Sequence, residues 1–352
     1  MNIAMVAGGS GGHIYPALTL AKALKDKGNR ITFIGSNDRM EKDVIPASGF
    51  DYVGLNVYTT RGGVLQKVKS LLSIAKAYFD CKKLLKGYDM AIGFGNYISV
   101  PVMEAAASLG LKTVIHEQNS FVGRANHMLD TKMDLIIGSY EENLKQFKNQ
   151  NIRILGNPQS SKAYEVKKDE KVLSDLGLDP KKKTLLIFMG SLGSASVNEK
   201  LIEYFKLADG SYQIIYATGA SHYEKTVKEV KQSDWLKIFE RVDGVNVMKN
   251  STLLLCRAGA TTIAEICALG MPSILIPSPY VPNNHQYYNG KALTDKNAAL
   301  MIEEKDLDPK ILNDMINSVI NDEVKLKTMG DNARNMGNPN VLNDILEAIE
   351  EL

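Results

Sequence analysis

No run of about 18 apolar residues occurs anywhere in the chain, so no segment is expected to span a bilayer as a helix. Cysteine is scarce, and Cys81, Cys256 and Cys267 stand far apart. That spacing offers no metal-type pair, argues against a disulfide framework and points to a reducing cytosol. An excess of either charge is also missing. The net charge of +2 argues against bulk nucleic-acid binding, which needs a strongly basic domain, so no nucleic-acid partner is expected. The first residues read as a strand without a basic leader, so no signal peptide is expected. No cluster with metal-ligand spacing is visible. Asp306-Leu-Asp308 has the D-x-D spelling of metal-dependent sugar transferases, but Pro309 follows it and the segment reads as a helix start. Neither a metal nor another cofactor is expected.

The composition is that of an ordinary globular protein, 44% hydrophobic and 23% charged over 352 residues. At roughly 150 residues per domain this length suggests two domains. In the first half, short apolar runs at Ile3–Val6, Ile31–Ile34, Asp51–Val57, Met90–Gly93, Thr113–His116, Leu135–Ile137 and Ile152–Leu155 read as strands. Helix-period segments such as Pro16–Lys27, Leu65–Leu85 and Val100–Leu109 lie between them. Such alternation predicts βαβ units and a parallel sheet. The second half repeats the pattern. A short helix is expected over Leu173–Leu178, strands at Leu185–Phe188, Gln213–Ala217, Leu253–Cys256 and Ser273–Ile276, and a helix from about Val197. The fold class is therefore α/β with two Rossmann-like domains. The boundary is placed at Gly156-Asn-Pro158, giving domains 1–156 and 157–352, with the last helix, about 342–352, expected to pack back on the first.

The opening strand runs into Gly8-Gly-Ser10-Gly11-Gly12-His13 and then a helix, with Pro16 expected in its first turn. Glycines let a backbone approach a bulky group, and a helix N-terminus attracts anions. His13 titrates near neutrality and suits a general base, although a capping or buried histidine would look the same. The loop is a poor nicotinamide motif. Ile14 takes the place of the third glycine of G-x-G-x-x-G, and no acid directly ends the second strand. In the second half, Cys256-Arg257-Ala-Gly259-Ala260-Thr261-Thr262-Ile263-Ala264-Glu265 joins a buried strand to a helix. Its amides could hold a diphosphate while Glu265 grips a ribose. Thr262 and Glu265 also have capping-box spacing, which would make the acid a local cap. His116-Glu117-Gln118-Asn119 ends a buried strand, where parallel sheets bind ligands, and Asn126 follows shortly after. Gln286, in a polar loop, could bond a sugar or simply lie at the surface. The 65–86 helix carries lysines beside Leu71, Leu72 and Phe79, and reads either as a membrane-facing surface or as a helix with a solvated lysine face.

These motifs, with Gly156-Asn-Pro158, Gly190-Ser191 and Gln286-Tyr-Tyr-Asn289, resemble in order and spacing the MurG family over nearly the whole chain. That family transfers N-acetylglucosamine from UDP-N-acetylglucosamine to the 4-hydroxyl of the N-acetylmuramoyl sugar of lipid I, with inversion, giving lipid II for peptidoglycan. The resemblance implies the GT-B fold, two Rossmann-like domains with parallel sheets facing a central cleft. It assigns 260–265 to the diphosphate and ribose, Gln286 to the donor sugar, Ser191 to phosphate and the backbone near Val242 to uracil, with Arg257 as an added cation. Ser10, Gly11 and Gly12 would lie beside the donor. His13 would be the base, with Glu117 and Asn126 as further catalytic residues. Asn119 and Asn126 would lie near the acceptor, Asn119 being counted with the donor set as well. The implied partners are UDP-N-acetylglucosamine, lipid I, an anionic membrane surface met by the N-terminal domain, and other cell-wall synthesis proteins. The implied location is the cytoplasmic face of the cell membrane, as a peripheral protein.

Three departures stand out. Ser10 replaces the family's threonine, Ser160 replaces an arginine after Gly-Asn-Pro, and Leu192 replaces a glutamine. The missing guanidinium bears on donor binding unless Arg153 or Lys162 substitutes. The other readings left open are a transferase for another membrane lipid and a non-catalytic UDP-sugar-binding scaffold.

Overall fold

The computed structural model describes residues 1–57, 64–190 and 193–352. The chain forms two units, Met1–Gln159 with Asn340–Leu352, and Ser160–Pro339. The first unit runs β1 (Asn2–Val6), α1 (Gly11–Asp26), β2 (Arg30–Ser36), α2 (Glu41–Ala47), β3 (Asp51–Leu55), α3 (Val64–Leu84), β4 (Met90–Gly93), α4 (Ser99–Ser108), β5 (Lys112–Glu117), α5 (Arg124–Leu129), β6 (Leu135–Gly138) and β7 (Ile152–Ile154). Its strands lie parallel in the order β3-β2-β1-β4-β5-β6-β7. The inner strands are continuous apolar runs because helices cover both faces. The order reverses at β1, between β2 and β4. At such a switch point the loops after neighbouring strands diverge and leave room for a ligand.

The second unit runs α6 (Ser160–Glu165), α7 (Lys171–Asp175), β8 (Thr184–Phe188), α8 (Ala195–Phe205), β9 (Gln213–Ala217), α9 (Tyr223–Glu229), β10 (Leu236–Phe239), α10 (Gly244–Asn250), β11 (Leu253–Cys256), α11 (Ala260–Leu269), β12 (Ser273–Leu275), α12 (His285–Thr294), β13 (Ala299–Met301), α13 (Pro309–Ile320) and α14 (Glu323–Asn335). Its parallel order is β10-β9-β8-β11-β12-β13, with the switch between β8 and β11. The sequence reading missed β10 and β13. Both are edge strands, covered less completely than the inner ones, so neither spells a long apolar run. Asp308 caps α13 by accepting from the amides of Lys310 (2.8 Å) and Ile311 (3.2 Å), which bears out the helix-start reading.

The last helix, α15 (Val341–Glu350), belongs to the first unit. Val341, Ile345, Leu346, Ala348 and Ile349 are buried in one core with Ile14, Ala17, Leu20, Ala21 and Leu24 of α1. Full burial of a side chain of this size contributes about 1.5–3 kcal/mol. The exposed pairs Lys27–Glu350 (2.6 Å) and Arg153–Glu351 (2.7 Å) add at most about 1 kcal/mol each. Apolar packing therefore docks this helix, and Arg153 is engaged there. Helix α1 starts earlier than its sequence suggests. It begins at Gly11, which puts Pro16 inside it and not in its first turn.

Candidate active site

In the first unit the glycine turn after β1 is held from beneath by the protein's own side chains. Glu41 is buried, and its Oε2 accepts the amide of Gly9 at 3.0 Å while its Oε1 accepts Ser36 Oγ at 2.6 Å. Asn96 donates to the carbonyl of Gly8 at 2.7 Å. A β-carbon on Gly8 would collide with the Glu41 carboxylate, and one on Gly9 (φ +83°) with the Asn96 amide. A third, on Gly11, would lie 2.9 Å from the ring of Tyr15. Only Gly12 faces open space, with nothing nearer than Ser10 Oγ at 3.8 Å. The sequence reading favoured a ligand loop over a tight turn for these glycines and set Gly11 and Gly12 beside the donor; Gly8 and Gly9 make room for Glu41 and Asn96.

His13 stands in the first turn of α1, with Nδ1 3.2 Å from Ser10 Oγ. Its other nitrogen faces the turn after β4. A β-carbon on Gly95 would lie 3.6 Å from His13 Nε2, 3.6 Å from Asn126 Nδ2 and 3.7 Å from Asn126 Oδ1. The switch point thus brings imidazole and carboxamide together around a glycine at φ +84°. Asn126 is 1% exposed. Its Nδ2 donates to the carbonyl of His116 (3.1 Å) and to Glu117 Oε2 (2.9 Å), which fixes the side chain. Its Oδ1 has no hydrogen-bond partner among the described residues. A buried acceptor in that state is costly unless a ligand or water satisfies it.

The remaining polar residues after β5 face inward. Glu117 accepts the amide (3.0 Å) and side chain (3.2 Å) of Asn119, the amide of Gly123 (2.9 Å) and Asn126 Nδ2. Burial raises its carboxyl pKa against the pull of those hydrogen bonds. His116 donates from Nε2 to the carbonyl of Gly156 (2.9 Å), accepts from Gln118 at Nδ1 (3.1 Å), and stacks on Phe94. Burial, with the charge of His13 adding, lowers its pKa to about 4, so it is neutral. The sequence reading took the His-Glu-Gln-Asn run as a row of site groups. His116, Glu117 and Gln118 are instead interior supports, and Asn119 is half-buried. Glu41, Gly95 and Asn96 were missed. Only the glycine turn ending β4, Gly93-Phe-Gly95, hinted at them.

In the second unit a cavity of about 550 Å³ opens at the other switch point, lined by Gly190, Ser194, Arg257, Gly259, Thr262 and Gln286 among others. Ser191 and Leu192 lie outside the described residues. Helix α11 is N-capped by the backbone of Gly259, and its first intrahelical bond runs from Ile263 N to Gly259 O at 2.9 Å. The amides of Ala260, Thr261 and Thr262 precede that bond and point outward at the positive end of the helix. The cap falls at Gly259, so Thr262 and Glu265 form no capping box. Glu265 lies in the second turn and is buried. Ile263 turns into the core, and Ala264 is half-buried. Gln286 Oε1 accepts the amide of Ser278 at 2.9 Å. Val242 sits half-buried between β10 and α10, outside the cavity lining. Arg257 donates to Ser194 Oγ, Glu304 and the carbonyls of Ile276 and Pro277. Ser160 is buried in the first turn of α6. Among the described residues no group of metal-ligating side chains is found.

Two parallel α/β units of these strand orders, each matching a glycosyltransferase domain, make this a glycosyltransferase of the GT-B fold. Residues 3–137 match the N-terminal domain of glycosyltransferase family 28, and residues 184–345 match its C-terminal domain. The chain belongs to that family. It is 36% identical to the UDP-N-acetylglucosamine–N-acetylmuramyl-(pentapeptide) pyrophosphoryl-undecaprenol N-acetylglucosamine transferase of Halothermothrix orenii, over 100% of this chain and 99% of that one. To the enzyme of the same name, numbered 1, from Bacillus cereus it is 35% identical with the same coverage. The solved structure of MurG from Acinetobacter baumannii superposes with a TM-score of 0.83 at 25% identity, covering 100% of this chain and 99% of that one. The glycosyltransferase of kitacinnamycin, at 14% identity and a TM-score of 0.70 over 99% of this chain and 98% of that one, shares the fold.

Proposed function

We propose that the chain transfers N-acetylglucosamine from UDP-N-acetylglucosamine to the 4-hydroxyl of the N-acetylmuramoyl sugar of undecaprenyl-pyrophosphoryl-N-acetylmuramyl pentapeptide, with inversion at the donor carbon. Full-length similarity to relatives named for that transfer carries the reading. Convergence of His13 Nε2 and the open Oδ1 of Asn126 supports it. His13 takes the hydroxyl proton as the oxygen attacks C1. The new C–O bond forms on the face opposite UDP while the bond from C1 to the β-phosphate oxygen breaks. The electron pair leaves with UDP. Asn126 Oδ1 accepts a hydrogen bond from the acceptor, and Glu117 acts through Asn126 as its support. The second unit holds the donor. Amides of Ala260, Thr261 and Thr262 take up charge growing on the diphosphate, and Gln286 meets the sugar.

Helix α3 supports a peripheral attachment to the anionic cytoplasmic face of the membrane. Leu71, Leu72 and Phe79 are 63%, 67% and 63% exposed, beside Lys76 and Lys83. A face of that make-up suits the boundary between headgroups and acyl chains. Among the described residues no helix is long and apolar enough to cross a membrane. The test of the reaction is label transfer. Sugar-labelled UDP-N-acetylglucosamine should give a labelled lipid disaccharide with a β-linkage by NMR, and an α-linkage would refute the single displacement.

A further inference from the structure

The cavity of the second unit is bordered by a buried ion pair that the donor chemistry above does not use. Three loops at the carboxyl ends of the strands meet there: the one after β8, the one after β11 and the turn after β13. Glu304, in the last of these, accepts Ser196 Oγ on one oxygen and Arg257 Nη2 on the other, both at 2.5 Å. Arg257 Nη2 also reaches Ser194 Oγ at 2.6 Å, and Nη1 reaches the carbonyls of Ile276 (3.1 Å) and Pro277 (3.3 Å). Ser194 precedes α8 as its N-cap residue, yet its side chain caps no amide there. Its oxygen accepts from the arginine and lies 3.4 Å from Ser196 Oγ. The side chains of Arg257 and Glu304 are only 10% and 9% exposed. Ser194, Ser196 and Arg257 all line the cavity.

We propose that Glu304 is a positioning residue for the donor diphosphate, fixing the Ser194–Ser196 entry of α8 against Arg257. The inference rests on the donor-site reading given above. Arg257 is often the residue type that meets a phosphate directly, as a fork of donors. Here both terminal nitrogens of the fork are engaged, by a carboxylate, a hydroxyl and two carbonyls, so the guanidinium works as a strut. The hydrogen bonds of Ser196 and Arg257, and the charge of Arg257, outweigh the effect of burial and hold the Glu304 carboxyl below the usual carboxylate range. It therefore stays ionised and keeps its grip at any neutral pH. Removing it frees the Ser194–Ser196 entry of α8 and leaves a buried guanidinium uncompensated. Arg257 stands two residues before Gly259, whose turn presents the amides assigned above to the diphosphate, so the phosphates depend on the strut more directly than the uridine end does.

The test compares UDP with uridine. Binding of each to the full-length chain is titrated calorimetrically for wild type, Glu304→Ala, Glu304→Gln and Ser196→Ala, alongside thermal unfolding. Loss of one well-placed hydrogen bond to a charged group corresponds to roughly tenfold or more in an equilibrium constant, so Glu304→Ala should lose about tenfold in UDP affinity. Uridine affinity should stay within about twofold of wild type, because no contact to the base or ribose is removed. Glu304→Gln, which keeps one carbonyl acceptor, should fall between. Ser196→Ala leaves the ion pair intact and keeps the test open if Glu304→Ala fails to fold, and it should show a smaller loss in the same direction. Equal losses for UDP and uridine, or lowered thermal stability with unchanged UDP affinity, would overturn the inference and make Glu304 structural alone. A wild-type chain that binds no UDP would instead remove the donor-site reading on which the inference stands.

Discussion

Replacing Glu117 by Gln changes only an oxygen to an NH2 group, but it does so where four donors converge. The amides of Asn119 and Gly123 and the side chains of Asn119 and Asn126 all point at this carboxylate, within 2.9–3.2 Å. Whichever way the new amide turns, its NH2 end faces donors and accepts from none of them. A buried donor left unpaired costs about 1–3 kcal/mol. The amide settles with its NH2 end toward Asn119, which is half-buried and can turn to water, while its oxygen keeps Gly123 and Asn126. One such clash, between the new NH2 and the amide of Asn119, puts the cost at about 1–3 kcal/mol. The neutral amide recovers part of the desolvation that raises the Glu117 pKa, which favours the lower end of that range. Even so, it is a large share of the roughly 5–15 kcal/mol of a folded domain. Urea unfolding with an unchanged slope reads it directly. Because Asn126 then meets a neutral oxygen in place of a charged one, its anchor weakens, and kcat should also fall by up to about 10-fold at unchanged UDP affinity. A double-mutant cycle with Asn126→Ala should give a coupling of about 1 kcal/mol or more. A Glu117→Gln chain of wild-type stability and turnover would refute the support role of this carboxylate.

Three other outcomes follow from the same geometry. His116 is depressed from 6.5 to about 4, so the unfolded chain binds the extra proton first, and its stabilisation is complete above about 6.5 and lost as pH falls toward about 4. The gap amounts to roughly 3 kcal/mol. Glu117, whose pKa is raised, acts in the opposite sense above its usual value, so His116→Gln against wild type in urea at several pH values isolates the histidine; parallel curves would contradict the reasoning. His13→Ala should keep its fold and its UDP affinity but lose turnover by about 10²-fold or more, and wild-type turnover would remove it from the mechanism. Leu72→Glu with Phe79→Glu should release the chain from vesicles rich in anionic lipid while leaving unfolding within about 0.5 kcal/mol of wild type, and unchanged cosedimentation would exclude α3 as the contact surface.

Alternation of apolar runs with helical periods made every strand of the first unit readable, the inner ones because they are apolar on both faces and the edge strands β3 and β7 because each still spells a short apolar run. Edge strands β10 and β13 escape the same reading. The two loops carrying Gly12 and Gly259 were visible from glycine content at strand ends. The supports were not. Glu41 reads as an ordinary surface acid of a short helix, and its burial beneath Gly9 depends on β2 lying beside β1. Glu304 reads as one acid in a Glu/Lys-rich stretch, and only the sheet order brings it to Arg257. His116 and Glu117 carry the opposite lesson. Polar residues at the end of a buried strand attract a functional reading, yet their partners are neighbouring loops that sequence spacing cannot supply. The capping-box spacing of Thr262 and Glu265 fails for a similar reason, since the backbone of Gly259 already begins the helix.

The most direct test of the account is UDP release from UDP-N-acetylglucosamine by the purified chain, with and without a lipid I analogue. Release that requires the analogue, and that falls by about 10²-fold or more in His13→Ala, is the predicted result. Donor binding without release in the presence of that acceptor would contradict the assigned reaction.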